Sequence, residues 1–197
     1  VISGRKRSDV ERFLPQGIDF VIGNHGVEGL PSGTDTIDTA KKACLQWKSE
    51  LEKDFADSDD VWLEDKTYSL SLHYRKATDK KKARTQLLEA VSSLTPPPRI
   101  VLGKFCINIM PAGAPHKGVA LLELMLKSNS RCAVYLGDDD NDEDVFSLSE
   151  ENLLTIRIEE SNNSGALYCL STQLEIDDFL VKTLEFCKSH GSLKRMT

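Results

Sequence analysis

The chain has 197 residues, 40% of them apolar and 28% charged, with a formal net charge of −6. This is the balance of a folded domain rather than a disordered or collagenous chain, and no apolar run approaches the ~20 residues that span a bilayer. An acidic chain lacks the broad basic surface of a nucleic-acid binder while leaving room for a small basic pocket, so no nucleic acid or membrane is expected as partner.

Val1-Ile2 looks like the end of a strand. Ser8-Asp-Val-Glu11 has capping-box spacing and predicts a short helix ending by Pro15. Asp19-Phe-Val-Ile22 reads as a short strand closed by Gly23. From Thr36 to Phe55, Ile37, Ala40, Cys44, Trp47 and Leu51 recur at helical spacing, and Asp57–Asp60 ends the helix. Val61–Leu63 and Tyr68–Arg75 read as strands. The second puts Tyr68, Leu70, Leu72 and Tyr74 on one face and Ser69, Ser71, His73 and Arg75 on the other. Asp79–Leu94 is amphipathic and is stopped by Pro96-Pro97-Pro98. Arg99–Leu102 and Phe105–Met110 form a hairpin through Gly103-Lys104. Then follow a helix over Lys117–Lys127, an apolar strand over Cys132–Leu136, a helical turn over Asp142–Phe146, strands over Leu153–Ile158 and Ala166–Leu170, and a helix over Leu174–Lys188.

Alternating strands and helices predict an α/β chain. The middle stretch reads as a contiguous α+β insert within a parallel α/β core, with joints near Gly29–Thr34 and Pro111–Pro115. The five cysteines include no C-x-x-C pair. Four lie within or beside apolar runs and read as small core residues, which suits a reducing compartment.

Three segments carry chemistry. Directly after the strand Cys132–Leu136 and Gly137, six carboxylates fall within Asp138–Asp144. Like charges this close repel. A divalent cation or basic neighbours would relieve the repulsion; a solvated turn capping a helix is the alternative. An EF-hand does not fit, because Glu143 and Ser149 stand where Gly and Glu are needed. Oxygen-only ligands favour Mg²⁺ over Zn²⁺. Lys117 opens a strong helix, where a cation opposes the dipole unless an anion sits beside it; an ordinary surface lysine is the alternative. His116 beside it reads as exposed. Ile2-Ser-Gly-Arg5 puts a hydroxyl and a guanidinium just past a strand end, a reasonable phosphate cradle.

Ile2-Ser-Gly-Arg5, Lys117-Gly-Val-Ala-Leu121 and Gly137-Asp-Asp-Asp-Asn-Asp-Glu-Asp144, in this order, resemble the haloacid dehalogenase superfamily of phosphatases. Within it, Gly23-Asn-His-Gly-Val-Glu28, Glu64-Asp-Lys66 and Tyr68–Arg75 make the chain most similar to the trehalose-6-phosphate phosphatases. The resemblance implies a haloacid dehalogenase-like (Rossmann-like) core from residues 1–29 and 111–197, incomplete at its N-terminus, and a cap domain at 30–110. It implies that Ser3 hydrogen-bonds the phosphoryl group, Lys117 neutralises charge, Asp138 binds Mg²⁺, and Asp142 acts beside it. Arg5, Asn24, His25, Glu64, Lys66, His73, Arg75, Lys104 and Asn108 would read the sugar phosphate; for the charged cap strands, a solvated sheet face is the alternative.

Asn108 and Met110 depart from the family pattern, which often has a glutamate and a basic residue there. The family's Asp-x-Asp-Gly-Thr motif, source of nucleophile and general acid, does not occur in the sequence. Asp57-Ser58-Asp59 has the spacing without the preceding strand. The motif order places the missing piece upstream of Val1, so these 197 residues alone are expected to be inactive. The expected function is cytoplasmic hydrolysis of trehalose 6-phosphate. Turnover of another sugar phosphate, or non-catalytic sugar-phosphate binding, are the alternatives; the oligomeric state is not legible.

Overall fold

Period-two and period-3.6 patterns sort the chain into two sheets, each covered by its own helices. The computed structural model describes residues 1–30, 34–55, 58 and 60–190. Residues 31–33, within the first expected joint, lie outside the described residues. So do 56, 57 and 59, in the turn expected to end the long helix.

The first sheet is antiparallel, in the order β1-β2-β4-β3: β1 Trp62–Asp65, β2 Leu70–His73, β3 Pro98–Gly103 and β4 Cys106–Pro111. Helices α2 (Thr34–Asp54) and α3 (Lys80–Ser92) pack against one face. There Trp47, Leu51, Leu70, Leu72, Leu87, Val91, Ile107 and Ile109 form a closed apolar core. Asp79 caps α3 by accepting from the Lys82 N–H at 2.9 Å, satisfying one orphan donor of the first turn. The Trp47 indole donates to the Pro96 carbonyl at 2.9 Å, so the proline run that stops α3 also anchors α2.

Strand register decides what the other face presents. Trp62 lies opposite His73, and Glu64 opposite Ser71. Ser71 lies in turn opposite Asn108, and His73 opposite Cys106. This polar face is only partly screened: Ser69 and Ser71 are fully buried, Glu64 and His73 are half-buried, and Trp62 is exposed.

The second sheet is parallel, in the order β5-β6-β7: β5 Ala133–Gly137, β6 Leu153–Ile158 and β7 Tyr168–Leu170. Helices α4 (Lys117–Lys127) and α5 (Glu143–Phe146) contribute Leu121, Val145 and Phe146 to a core with Tyr135 and Leu153. Helix α6 (Glu175–His190) closes the described chain. The expected strand at Asp19–Ile22 is reduced to one parallel bridge, Ile2 to Ile22, with Ser3 N–H donating to the Ile22 carbonyl at 2.9 Å.

Two local expectations are corrected. Helix α1 is Arg7–Glu11, starting ahead of Ser8 and without a side-chain cap. The Arg7 N–H is satisfied by Glu28 Oε2 at 2.9 Å, and Glu11 pairs with the Arg7 guanidinium at 2.7 Å instead of reaching back to Ser8. Of the free cysteines only Cys44 is buried; Cys106 and Cys187 are partly exposed, and Cys132 and Cys169 are exposed. Cys132 precedes β5, and Cys169 lies on the outer strand β7, so proximity to an apolar run did not bring burial.

Contacts made by Asn24, Lys66 and Arg99 tie the two sheets together. Asn24 donates to Glu28 Oε2 at 2.9 Å and to the Lys66 carbonyl at 3.0 Å, and accepts from the Ser69 hydroxyl at 2.9 Å. Lys66 Nζ reaches the Gly4 carbonyl at 3.2 Å. Arg99 of β3 pairs with Asp144 of the acidic loop.

Candidate active site

A cavity of about 680 Å³ opens between the polar face of the antiparallel sheet and the C-terminal end of β5. Its lining gathers Ser3, Arg5, His25, Glu64, Lys66, His73, Arg75, Asn108, Lys117, Asp138 and Asp142, which in sequence span most of the chain. A site at the C-terminal end of a parallel strand is where open α/β sheets place ligands.

Asp142 is the hub. Its Oδ1 accepts from Lys117 Nζ at 2.7 Å and from the Tyr135 hydroxyl at 2.6 Å. Its Oδ2 accepts the backbone N–H groups of Asp138 and Asp139 at 3.1 and 3.0 Å. Four donors thus converge on one carboxylate. It is also the anion that a lysine at the N-terminus of α4 requires. Lys117 and Asp142 are both buried, so removing either would strand a buried charge. Burial, followed by the nearby Asp142 charge, pushes the Tyr135 hydroxyl far above its ordinary pKa and keeps it a donor.

The Ser3 hydroxyl accepts the Arg5 N–H at 3.2 Å, which leaves its own proton to donate into the cavity. Beside it the backbone turns back: Asn24 and His25 adopt φ of 49° and 61°, and the His25 N–H donates to the Ser3 carbonyl at 2.9 Å. The His25 ring is 2% exposed, and neither ring nitrogen has a hydrogen-bond partner among the described residues. Burial and then the Lys66, Lys117 and Arg99 charges push its pKa down to about 3, so it is neutral at ordinary pH. The ring lies against Gly4, where an added Cβ would come 2.5 Å from Cε1; only glycine lets the hydroxyl segment pass so close. Lys66, largely buried, is held below its ordinary range mainly by desolvation, with Glu64 3.8 Å away opposing the shift.

On the sheet side, His73 Nε2 and Glu64 Oε2 are 2.9 Å apart, and the Ser71 hydroxyl donates to Asn108 Oδ1 at 2.6 Å. Asn24 and Lys104 do not line the cavity. Asn24 is committed to the joint described above, and Lys104 is exposed at the β3–β4 turn. His116, expected to be exposed, is half-buried; it precedes α4, with Nδ1 3.9 Å from Asp144.

The sequence reading missed Tyr135, Trp62 and Asn141, all of which line the cavity. A tyrosine inside the apolar run Cys132–Leu136 was the available signal, because a buried phenol needs a partner. Register alone put Trp62 on the polar face, and that requires the pairing partner.

The acidic segment does not behave as one cluster. Asp139 caps the turn over Asp140–Asp142, and Glu143 pairs with Arg157 at 2.9 Å. Among the described residues, no three His, Cys, Asp or Glu side chains converge to hold a metal by themselves. Two oxygens nevertheless suit a hard cation. Asp138 and Asn141 both line the cavity, and the buried Asn141 Oδ1 has no hydrogen-bond partner among the described residues. A magnesium-like ion held by one carboxylate, with water and phosphate oxygens completing its shell, is compatible with that pair.

A family model described as trehalose-phosphatase matches residues 1–171. The chain is 26% identical to a probable trehalose-phosphate phosphatase 4 of Oryza sativa subsp. japonica, covering 100% of this chain and 58% of that protein. It is 25% identical to a trehalose-phosphate phosphatase of Mycobacterium tuberculosis, covering 91% of this chain and 49% of that protein. It therefore spans about half the length of these relatives. A solved trehalose-6-phosphate phosphatase related protein superposes with a TM-score of 0.71 at 22% identity, over 95% of this chain and 82% of that one. The fold is thus the haloacid dehalogenase-like α/β fold.

Proposed function

We infer the function from one premise: the chain belongs to the trehalose-phosphatase family. The protein hydrolyses trehalose 6-phosphate to trehalose and phosphate through an aspartyl-phosphate, in cytoplasmic trehalose synthesis with Mg²⁺ as the cation. The observation that carries this reading is one cavity that sets a hydroxyl, a buried lysine and a hydrogen-bonded carboxylate against a sheet face of hydrogen-bonding side chains.

Residues 1–29 and 111–197 act as the core and 30–110 as the cap. Ser3 donates its free proton to a phosphoryl oxygen. Lys117, aimed by Asp142, offsets the charge of phosphate and nucleophile; phosphoryl transfer depends mainly on such positioning and charge neutralisation. Asp138, with Asn141 beside it, would hold the cation, which supplies further charge neutralisation at the phosphate. Glu64, Lys66, His73, Arg75 and Asn108 read sugar hydroxyls, accepting and donating from a surface that is already ordered. The nucleophilic carboxylate comes from outside these 197 residues, on a strand that would add to β5; β5 has a partner on one side only among the described residues.

The test is phosphate release from trehalose 6-phosphate by the complete gene product, with Mg²⁺ and then with chelator. Release that needs the metal and falls at least a hundredfold in Lys117→Ala is the expected outcome, on the scale of losing one transition-state charge partner. Assay of the 197-residue chain alone should give no release. Metal-independent release, or full activity in Lys117→Ala, would overturn the reading.

A further inference from the structure

Trp62 has an exposure out of keeping with its place in the fold. It is 61% exposed, while the only other tryptophan, Trp47, is 0% exposed. Yet it lines the cavity rather than an outer surface. Register sets it opposite His73, and the two rings stack with centroids 4.7 Å apart and planes 22° from parallel. The His73 ring is in turn held by Glu64 at 2.9 Å. One indole face is thus fixed by a braced partner.

Position along the strand gives this platform its target. Lys66 touches the hydroxyl segment through the Gly4 carbonyl, so the Lys66 end of the sheet lies beside the phosphate-binding corner. Trp62 is four residues earlier, roughly 13 Å away along an extended strand. Glu64 lies between them on the same face. The side chains form a row from this corner: Lys66 Nζ is 3.8 Å from Glu64, Glu64 is 2.9 Å from His73, and His73 stacks on the indole, which is the end of the row away from Ser3 and Lys117. A second pyranose ring would reach it. A pyranose presents an apolar face of C–H groups, which an aromatic ring covers while hydroxyls at the ring edge bond polar neighbours.

We propose that the Trp62–His73 stack is a platform against which the sugar ring farther from the phosphate packs, so that Trp62 adds an apolar, specificity-determining contact to the polar side chains that read the substrate. The proposal rests on the phosphatase reading above for where the phosphate sits.

The test compares trehalose 6-phosphate, glucose 6-phosphate and p-nitrophenyl phosphate as substrates of the complete gene product, wild type against Trp62→Ala and Trp62→Phe. In Trp62→Ala, kcat/KM for trehalose 6-phosphate should fall about tenfold through KM with kcat held, the size of one lost stacking contact. The two smaller substrates should stay within twofold, and Trp62→Phe should recover most of the loss. An equal loss on all three substrates would mark the indole as structural and overturn the proposal, as would no loss on the disaccharide. If the wild type turns over none of them, the phosphatase reading fails separately. The platform is then judged by calorimetry with free trehalose: equal affinity of wild type and Trp62→Ala overturns it, and tenfold weaker binding by the variant upholds it.

Discussion

At the residue scale the site depends on groups whose ionisation is fixed by burial. His25 is the clearest: its pKa is pushed from 6.5 down to about 3, first by desolvation and then by the cations around it. Between those two values the unfolded chain binds a proton that the folded chain refuses. Stability is therefore complete above pH 6.5 and falls as pH drops toward 3, by up to about 1.4 kcal/mol per pH unit from this ring. Asn tolerates the positive φ of 61° at this position. His25→Asn should thus keep the turn and flatten the pH dependence, which urea unfolding at pH 7, 6 and 5 would measure. Equal slopes in wild type and variant would mean that the ring is protonated in the fold. The histidine is legible in the sequence, but its neutrality is not. That neutrality follows from Lys66, Lys117 and Arg99 meeting around it from distant parts of the chain.

At the element scale the decisive contact is between α4 and the acidic segment. Gly118 is the second residue of α4, and a Cβ there would lie 2.2 Å from the Asp144 carbonyl. In an isolated helix, alanine for glycine is worth about 1 kcal/mol of added stability. Here the sign should reverse. Gly118→Ala should push α4 away from α5 and lengthen the Lys117–Asp142 contact, lowering stability by about 2 kcal/mol as overpacking does and activity with it. Thermal unfolding checks the first and phosphate release the second. A more stable Gly118→Ala protein would show that the two elements can part at no cost. Periodicity alone marks α4 as a helix, and the sequence bounds Lys117–Lys127 match the observed ones. The bounds of α1 were missed because its first N–H is satisfied by Glu28, far along the chain.

At the scale of the whole molecule, the joint between the sheets is a polar latch. Asn24 alone makes three side-chain hydrogen bonds, one to its own loop and two to the Lys66–Ser69 segment. Asn24→Gly keeps the positive φ and removes all three. It should cost about 2 kcal/mol, because buried partners are left unsatisfied, and it should raise amide exchange at Lys66 and Ser69. Unchanged exchange there would show that Arg99–Asp144 and Lys66–Gly4 suffice to hold the joint. The sequence by itself determined most of the strands and helices, the apolar faces of α2 and β2, and many of the polar residues that line the cavity. These follow from local periodicity and from residue types whose chemistry is particular. Only the tertiary structure decided that the polar strand face lines a cavity, that Asp142 is the anion for Lys117, and that Trp62 stacks on His73 where it lines that cavity. Each depends on register or on contacts between segments far apart in the chain, where the pairing partner decides which way a side chain faces.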